Sequence, residues 1–190
     1  MRQRTGLLGE LLVELKLVER GWHVVRLNAR QLSVNTDLIA IKGDHRISIQ
    51  VKTTDGAGKH SHANSLHLGR ASAYLREGTP FFNAKVDPLT ADVVLGVNYK
   101  PDNSRFYVLP VGLAETLCRK HADYWSAVTR RDGKRRADEF PIYLRLHEKK
   151  NAVLGHHDVM HRTLTRYQDR WDLLQEEPDK LRNLSAWEVA

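Results

Sequence analysis

Asp37-Leu-Ile-Ala-Ile-Lys42-Gly43-Asp44-His45-Arg46-Ile-Ser-Ile-Gln50-Val51-Lys52-Thr53 is the stretch whose reading decides the fold. Two runs rich in isoleucine and valine, 37–42 and 46–53, flank the short polar segment Gly43-Asp44-His45. Runs of this kind around a glycine-containing turn predict an antiparallel hairpin. Side chains alternate faces along a strand. Ile47, Ile49 and Val51 therefore share a core face, while Ser48, Gln50 and Lys52 share the other. A turn centred on Asp44 sets residue 37 roughly opposite residue 51. A carboxylate, an amide and an ammonium then meet at one end of the hairpin.

That combination suits phosphodiester chemistry. A hard cation such as Mg²⁺ takes oxygen ligands, including one or two carboxylates, carbonyls and waters. Asp37 can offer a carboxylate, Gln50 its side-chain oxygen and Val51 its backbone carbonyl. Lys52 beside them can orient an attacking water and offset charge on a pentacovalent phosphorus.

Working outward, residues 6–20 predict a helix closed by Gly21, with Leu7, Leu8, Leu11, Leu12, Leu15 and Val18 at the spacing of one apolar face. Glu10 flanks that face one turn after Gly6, and Glu14 is the rival acid one turn later. Residues 22–28 predict a strand. Segment 55–65, rich in Gly, His, Ser and Asn, predicts a mobile loop. Segment 66–85 is ambiguous, with a short helix expected near 69–77. Strands are expected over 92–99, 105–111 and 141–146, and helices over 112–129 and 158–176. The largely apolar run 92–99 suits a strand buried on both faces. The order is that of an α/β protein built on one sheet.

The stretch from Gly6 to Thr53 resembles the PD-(D/E)xK nuclease superfamily. It looks most like the branch of Holliday-junction resolvases and small intron-encoded or restriction-like endonucleases. The matching residues are Gly6-Leu-Leu-Gly9-Glu10, Asn35-Thr36-Asp37 and Ile49-Gln50-Val51-Lys52-Thr53. The resemblance implies a restriction-endonuclease-like α-β-β-β-α-β core with a central mixed sheet and a C-terminal helical extension. The resemblance covers about the first third of the chain; the expected division is a nuclease-like domain, 1–146, and a helical extension, 147–190, packed on the core or mediating dimerisation. It also implies Mg²⁺ or Mn²⁺ dependence and cleavage of DNA. Asp37 would be the principal metal ligand, Gln50 the second, Lys52 the catalytic lysine and Glu10 the supporting carboxylate. Two residues depart from the family pattern: Thr36 stands where a proline is usual, and Gln50 where a carboxylate is usual.

Composition narrows the class. The chain of 190 residues is 41% hydrophobic and 28% charged, as expected of one globular domain with a helical appendage. Its net charge of +7 attracts polyanions. The run Arg130-Arg131-Asp132-Gly133-Lys134-Arg135-Arg136 is a candidate phosphate-contact loop, as are Lys59, His60 and His62. The histidine groups at 60, 62 and 67 and at 156, 157 and 161 lack the cysteines of a structural zinc site. The single cysteine, Cys118, excludes an internal disulfide and fits the cytoplasm; its place in an expected helix predicts burial. No apolar run reaches membrane-spanning length, and Glu10, Glu14 and Lys16 interrupt any secretory signal. Trp22, Trp125, Trp171 and Trp187 are spaced as packing residues rather than as a base-stacking platform.

The expectation is therefore a metal-dependent endonuclease acting on DNA, paired as a homodimer because duplex cleavage needs two sites. The alternatives are an RNA-directed nuclease and a non-catalytic nucleic-acid-binding or regulatory module of the same fold. Gln50 is the residue that keeps the last alternative open.

Overall fold

The computed structural model describes residues 2–27, 36–55, 65–75, 82–86, 89–127, 139–146 and 155–184. Helix α1 (Arg2–Val18) precedes strands β1 (His23–Arg26), β2 (Leu38–Lys42) and β3 (His45–Thr54). Strands β4 (Ser65–Leu75) and β5 (Phe82–Val86) follow, then β6 (Val93–Asn98) and β7 (Arg105–Pro110). Helix α2 (Val111–Ala127), strand β8 (Glu139–Arg145) and helix α3 (Gly155–Arg166) come next. A 3₁₀ turn (Trp171–Gln175) and helix α4 (Pro178–Asn183) close the described chain.

The fold is α/β, with a central mixed five-stranded sheet flanked by helices. Its strand order is β1-β2-β3-β6-β7, and β5-β4-β8 form a second, three-stranded sheet. Pairing is antiparallel for β1–β2, β2–β3 and β6–β7, and parallel for β3–β6. The hairpin expected at 37–53 forms, with a tighter turn: Lys42 pairs with His45, leaving Gly43 and Asp44 as the loop. Gly43 takes φ +60°, the conformation that favours glycine at this place in a two-residue hairpin.

Several elements differ from expectation. The segment near 69–77 is not helical: Ser65–Leu75 is strand β4, paired with both β5 and β8. Its period-two signal was hidden by a bulge between His67 and Gly69, where the register shifts. The described part of the crossover from β3 to parallel β6 thus carries strands, and α2 follows only after β7. The expected helix 158–176 ends at Arg166. Asp169, at φ +55°, turns the chain, and Gln168 bridges to Tyr107.

The face of α1 is also corrected. Val13 and Leu17 are fully buried, and Leu12 is partly buried against the same core. Leu7, Leu11, Leu15 and Val18, expected on the core face, are exposed. Leucines on both sides of the helix made the inner face ambiguous from spacing alone. Gly9 explains which side packs: a Cβ there would lie 1.8 Å from Thr53 Oγ1, so the helix backbone sits against β3.

Apolar residues alternate to the two faces of the sheet and build two cores. Ile47, Ile49, Val51, Val93, Leu95 and Val97 pack with α1. Trp171, Leu173, Leu174 and Leu181 of the C-terminal segment pack into the same cluster. Val94, Tyr107 and Leu109 pack with α2, α3 and the second sheet. No described helix is long and apolar enough to cross a membrane.

Candidate active site

The hairpin ladder ends with Leu38 opposite Ile49, and Asp37 stands one residue before it. The Asp37 N–H donates to the Ile49 carbonyl at 2.9 Å, and the Leu27 N–H donates to the Asp37 carbonyl at 2.9 Å. Asp37 is thereby fixed between β1 and β3. Its carboxylate accepts the Val51 N–H at 2.7 Å. The pairing of the strand residues thus continues through a side chain, and the carboxylate is held at the strand edge.

Gln50 is 4% exposed, and its Oε1 has no hydrogen-bond partner among the described residues. A buried, unpaired amide oxygen costs on the order of 1–3 kcal/mol. Such an atom is one that a ligand can complete. Lys52 lies two residues on along β3, on the same side, and is half-buried. It pairs across the sheet with Gly96, where a Cβ would collide with Leu66.

Electrostatics tie the charged members together. Burial pushes the Asp37 carboxyl above the ordinary aspartate range, while the Val51 N–H and the Lys52 ammonium pull it down. Burial, followed by the charge of Asp37, pushes Glu10 above the ordinary glutamate range, and the Arg26 guanidinium opposes that. Glu10 and Asp37 therefore sit within electrostatic reach of each other, although they come from a helix and a strand edge. The close contact of Gly9 with Thr53 brings the Glu10 turn to β3. Glu14, the rival acid, is bound in an ion pair with Arg26.

The expected oxygen donors are the Asp37 and Glu10 carboxylates, the Gln50 amide oxygen and the Val51 carbonyl. Among the described residues, no group of three or more His, Cys, Asp or Glu could hold a metal ion. A hard cation of the Mg²⁺ type needs no such cluster, because it takes one or two carboxylates and keeps several waters. The buried Gln50 Oε1, unpaired among the described residues, fits a cation of that type.

One buried acid escaped sequence reading. Asp92 precedes β6 and is 8% exposed. Its Oδ2 accepts the Ser48 N–H at 2.9 Å and the Ser48 hydroxyl at 2.5 Å, and its Oδ1 accepts Arg182 Nη2 at 2.9 Å. Nothing local signalled this clamp, because its partners lie 44 and 90 residues away. A second residue missed was Asn98, buried at the end of β6 with Oδ1 unpaired.

Lys59, His60 and His62 and the basic run Arg130, Arg131, Lys134, Arg135 and Arg136 lie outside the described residues. Cys118 is buried as expected, and burial together with Glu115 pushes its thiol up to about 12, which leaves it unreactive.

No protein-family model matches the chain, and no curated protein matches it. Among solved structures it is similar to a bacterial homing endonuclease, I-Ssp6803I, with 14% identity over 97% of each chain and a TM-score of 0.47. It is also similar to MepB, with 11% identity over 84% of this chain and 93% of that one and a TM-score of 0.38. Both similarities are remote. What the site can do follows from this chain's own residues.

Proposed function

We propose that the chain is a divalent-metal-dependent endonuclease that hydrolyses phosphodiester bonds in DNA. The observation that carries this reading is the pair at the hairpin end. Asp37 is pinned by the Val51 N–H, and on the same strand as Val51, Gln50 offers a buried amide oxygen unpaired among the described residues. In this reading Asp37, Gln50, Glu10 and the Val51 carbonyl hold Mg²⁺ or Mn²⁺. The cation would supply Lewis acidity at the reacting phosphate.

The protein's own groups have defined tasks. Lys52 orients a water toward phosphorus and balances the charge that grows on the phosphoryl oxygens. The water oxygen forms a bond to phosphorus as one bridging P–O bond breaks, leaving a phosphate end and a hydroxyl end. Glu10, its carboxyl raised by burial and by Asp37, is suited to share a cation with Asp37. The net charge of +7 favours a polyanionic substrate. The basic run 130–136 and residues 59–62 are the proposed backbone contacts.

The second reading is a nucleic-acid-binding module without catalysis. The neutral Gln50 favours it, because an amide neutralises a dication less than a carboxylate does. An RNA substrate is a variant of the first reading.

Incubation of supercoiled plasmid with Mg²⁺ or Mn²⁺, beside Lys52→Ala, separates the readings. The nuclease reading expects open-circle product from the wild type, little from the variant and none in EDTA. Absence of nicking with every metal, combined with a mobility shift that persists in EDTA, supports the binding module. Cleavage of RNA alone assigns the RNA variant.

A further inference from the structure

Helix α1 is apolar on two opposite sides, and the fold covers only one of them. Gly9, Val13 and Leu17 face the sheet. Leu7, Leu11, Leu15 and Val18 form a stripe on the outer side, exposed by 52%, 47%, 53% and 55%. Val25, on edge strand β1, is the one other large hydrophobic exposed among the described residues. Exposed apolar side chains scattered singly need no explanation, but four in register along one helix do. A surface helix of a monomer carries polar residues at these positions.

We propose that this outer face of α1 is the contact surface for a second copy of the chain, packed antiparallel about a two-fold axis that passes between Leu11 and Leu15. The stripe is self-complementary under that operation. Leu7 of one copy meets Val18 of the other, and Leu11 meets Leu15. An isologous contact of this kind requires one patch to match itself.

Charge selects the antiparallel arrangement. Arg4 is exposed at the start of the helix, and Glu19, just past its end, is exposed and paired within its own chain with Lys16. Antiparallel packing brings Arg4 toward Glu19 of the second copy, whereas parallel packing would set Arg4 against Arg4. The helix macrodipoles also favour the antiparallel arrangement. One helix face falls short of the roughly 800 Å² per partner of a standard interface. The dimer therefore belongs to the weak, reversible class of small interfaces.

The proposal rests on the surface alone, so failure of the nuclease reading leaves it standing. Sedimentation velocity of the full chain across the micromolar range tests it without any nucleic acid. The expected result is a reversible monomer–dimer equilibrium that Leu11→Glu or Leu15→Glu shifts to monomer. The double variant Leu11→Glu with Leu15→Lys should regain the dimer, because each new charge meets its opposite across the axis. All these positions are exposed, so thermal melting should stay close to wild type. As a second measurement, a chain carrying Leu7→Cys and Val18→Cys should form a covalent dimer on oxidation, with the buried Cys118 silent. A chain that is monomeric at every concentration, or a dimer indifferent to the stripe variants, would overturn the proposal. Either result would hand the stripe to a different occupant.

Discussion

Strand β3 has a carboxylate on each side of it, the buried Asp92 and the half-buried Asp37, and the two are treated differently. Asp92, on the β6 side, accepts the Ser48 N–H and hydroxyl with one oxygen and Arg182 with the other. Asp37, on the β2 side, also accepts a β3 N–H, that of Val51, but its surroundings are incomplete. The Gln50 oxygen on β3 is unpaired among the described residues, Glu10 adds a like charge, and burial raises the Asp37 carboxyl. The same local device, a carboxylate on a strand N–H, thus serves as a staple on one side and as a poised group on the other. The distinction lies in whether the remaining lone pairs are used. An acid whose partners are all supplied by the protein contributes to stability. One coupled to a second acid, with its carboxyl raised by burial, is a candidate for binding something else.

Substitutions should separate the two sides. The largest effect is expected at the poised side: Lys52→Ala should lower plasmid nicking by about 10²–10⁴-fold, with the fold intact by circular dichroism. A variant that nicks as well as wild type would remove Lys52 from the chemistry. On the stapled side, Asp92→Ala strands the Ser48 N–H and should cost about 2–4 kcal/mol in urea unfolding. Arg182→Ala should cost less, about 0.5–1 kcal/mol, because Arg182 is half exposed. Equal losses would mean that Arg182 and not Ser48 holds the acid.

Gly9→Ala sharpens the link between helix and site. Alanine favours a helix by about 1 kcal/mol over glycine. Here its methyl would strike Thr53, so the net change should be a loss of roughly 1 kcal/mol, together with weaker metal binding as Glu10 moves off. A stabilised Gly9→Ala protein would show that the helix can back away freely.

The smallest effect concerns pH. The folded Asp37 carboxyl titrates above its unfolded value. Its contribution to stability is therefore present in acid and is lost as pH rises through the folded pKa. Ionised Asp37 is a burden on the metal-free fold near neutrality. Asp37→Asn should raise the melting temperature at pH 7 in EDTA by about 2–4 °C, the scale of 1 kcal/mol in a chain of this size. The gain should vanish near pH 3, and a destabilised variant at pH 7 would contradict the sign.

Much of this geometry was legible in the sequence because it is local. Alternation along 46–53 assigned Ile47, Ile49 and Val51 to the core, and they lie there. The hairpin brought the Asp37 carboxylate onto the Val51 N–H, although its turn is two residues long rather than three. What failed was whatever depended on choosing between equivalent local signals or on distant partners. Leucines on both sides of α1 gave no inner face until Gly9 met Thr53. The bulge at His67–Gly69 broke the alternation that would have marked β4 as a strand. The Asp92–Arg182 contact spans 90 residues and has no periodicity to betray it.

The contrast between the two acids is tested most directly by titrating Mn²⁺ into the protein and reading the free ion by electron paramagnetic resonance. One site should fill in the wild type, be lost in Asp37→Asn and weaken in Gln50→Ala. It should survive in Asp92→Asn at a temperature where that variant is folded. Binding that persists without Asp37, or that vanishes with Asp92 instead, would contradict the account.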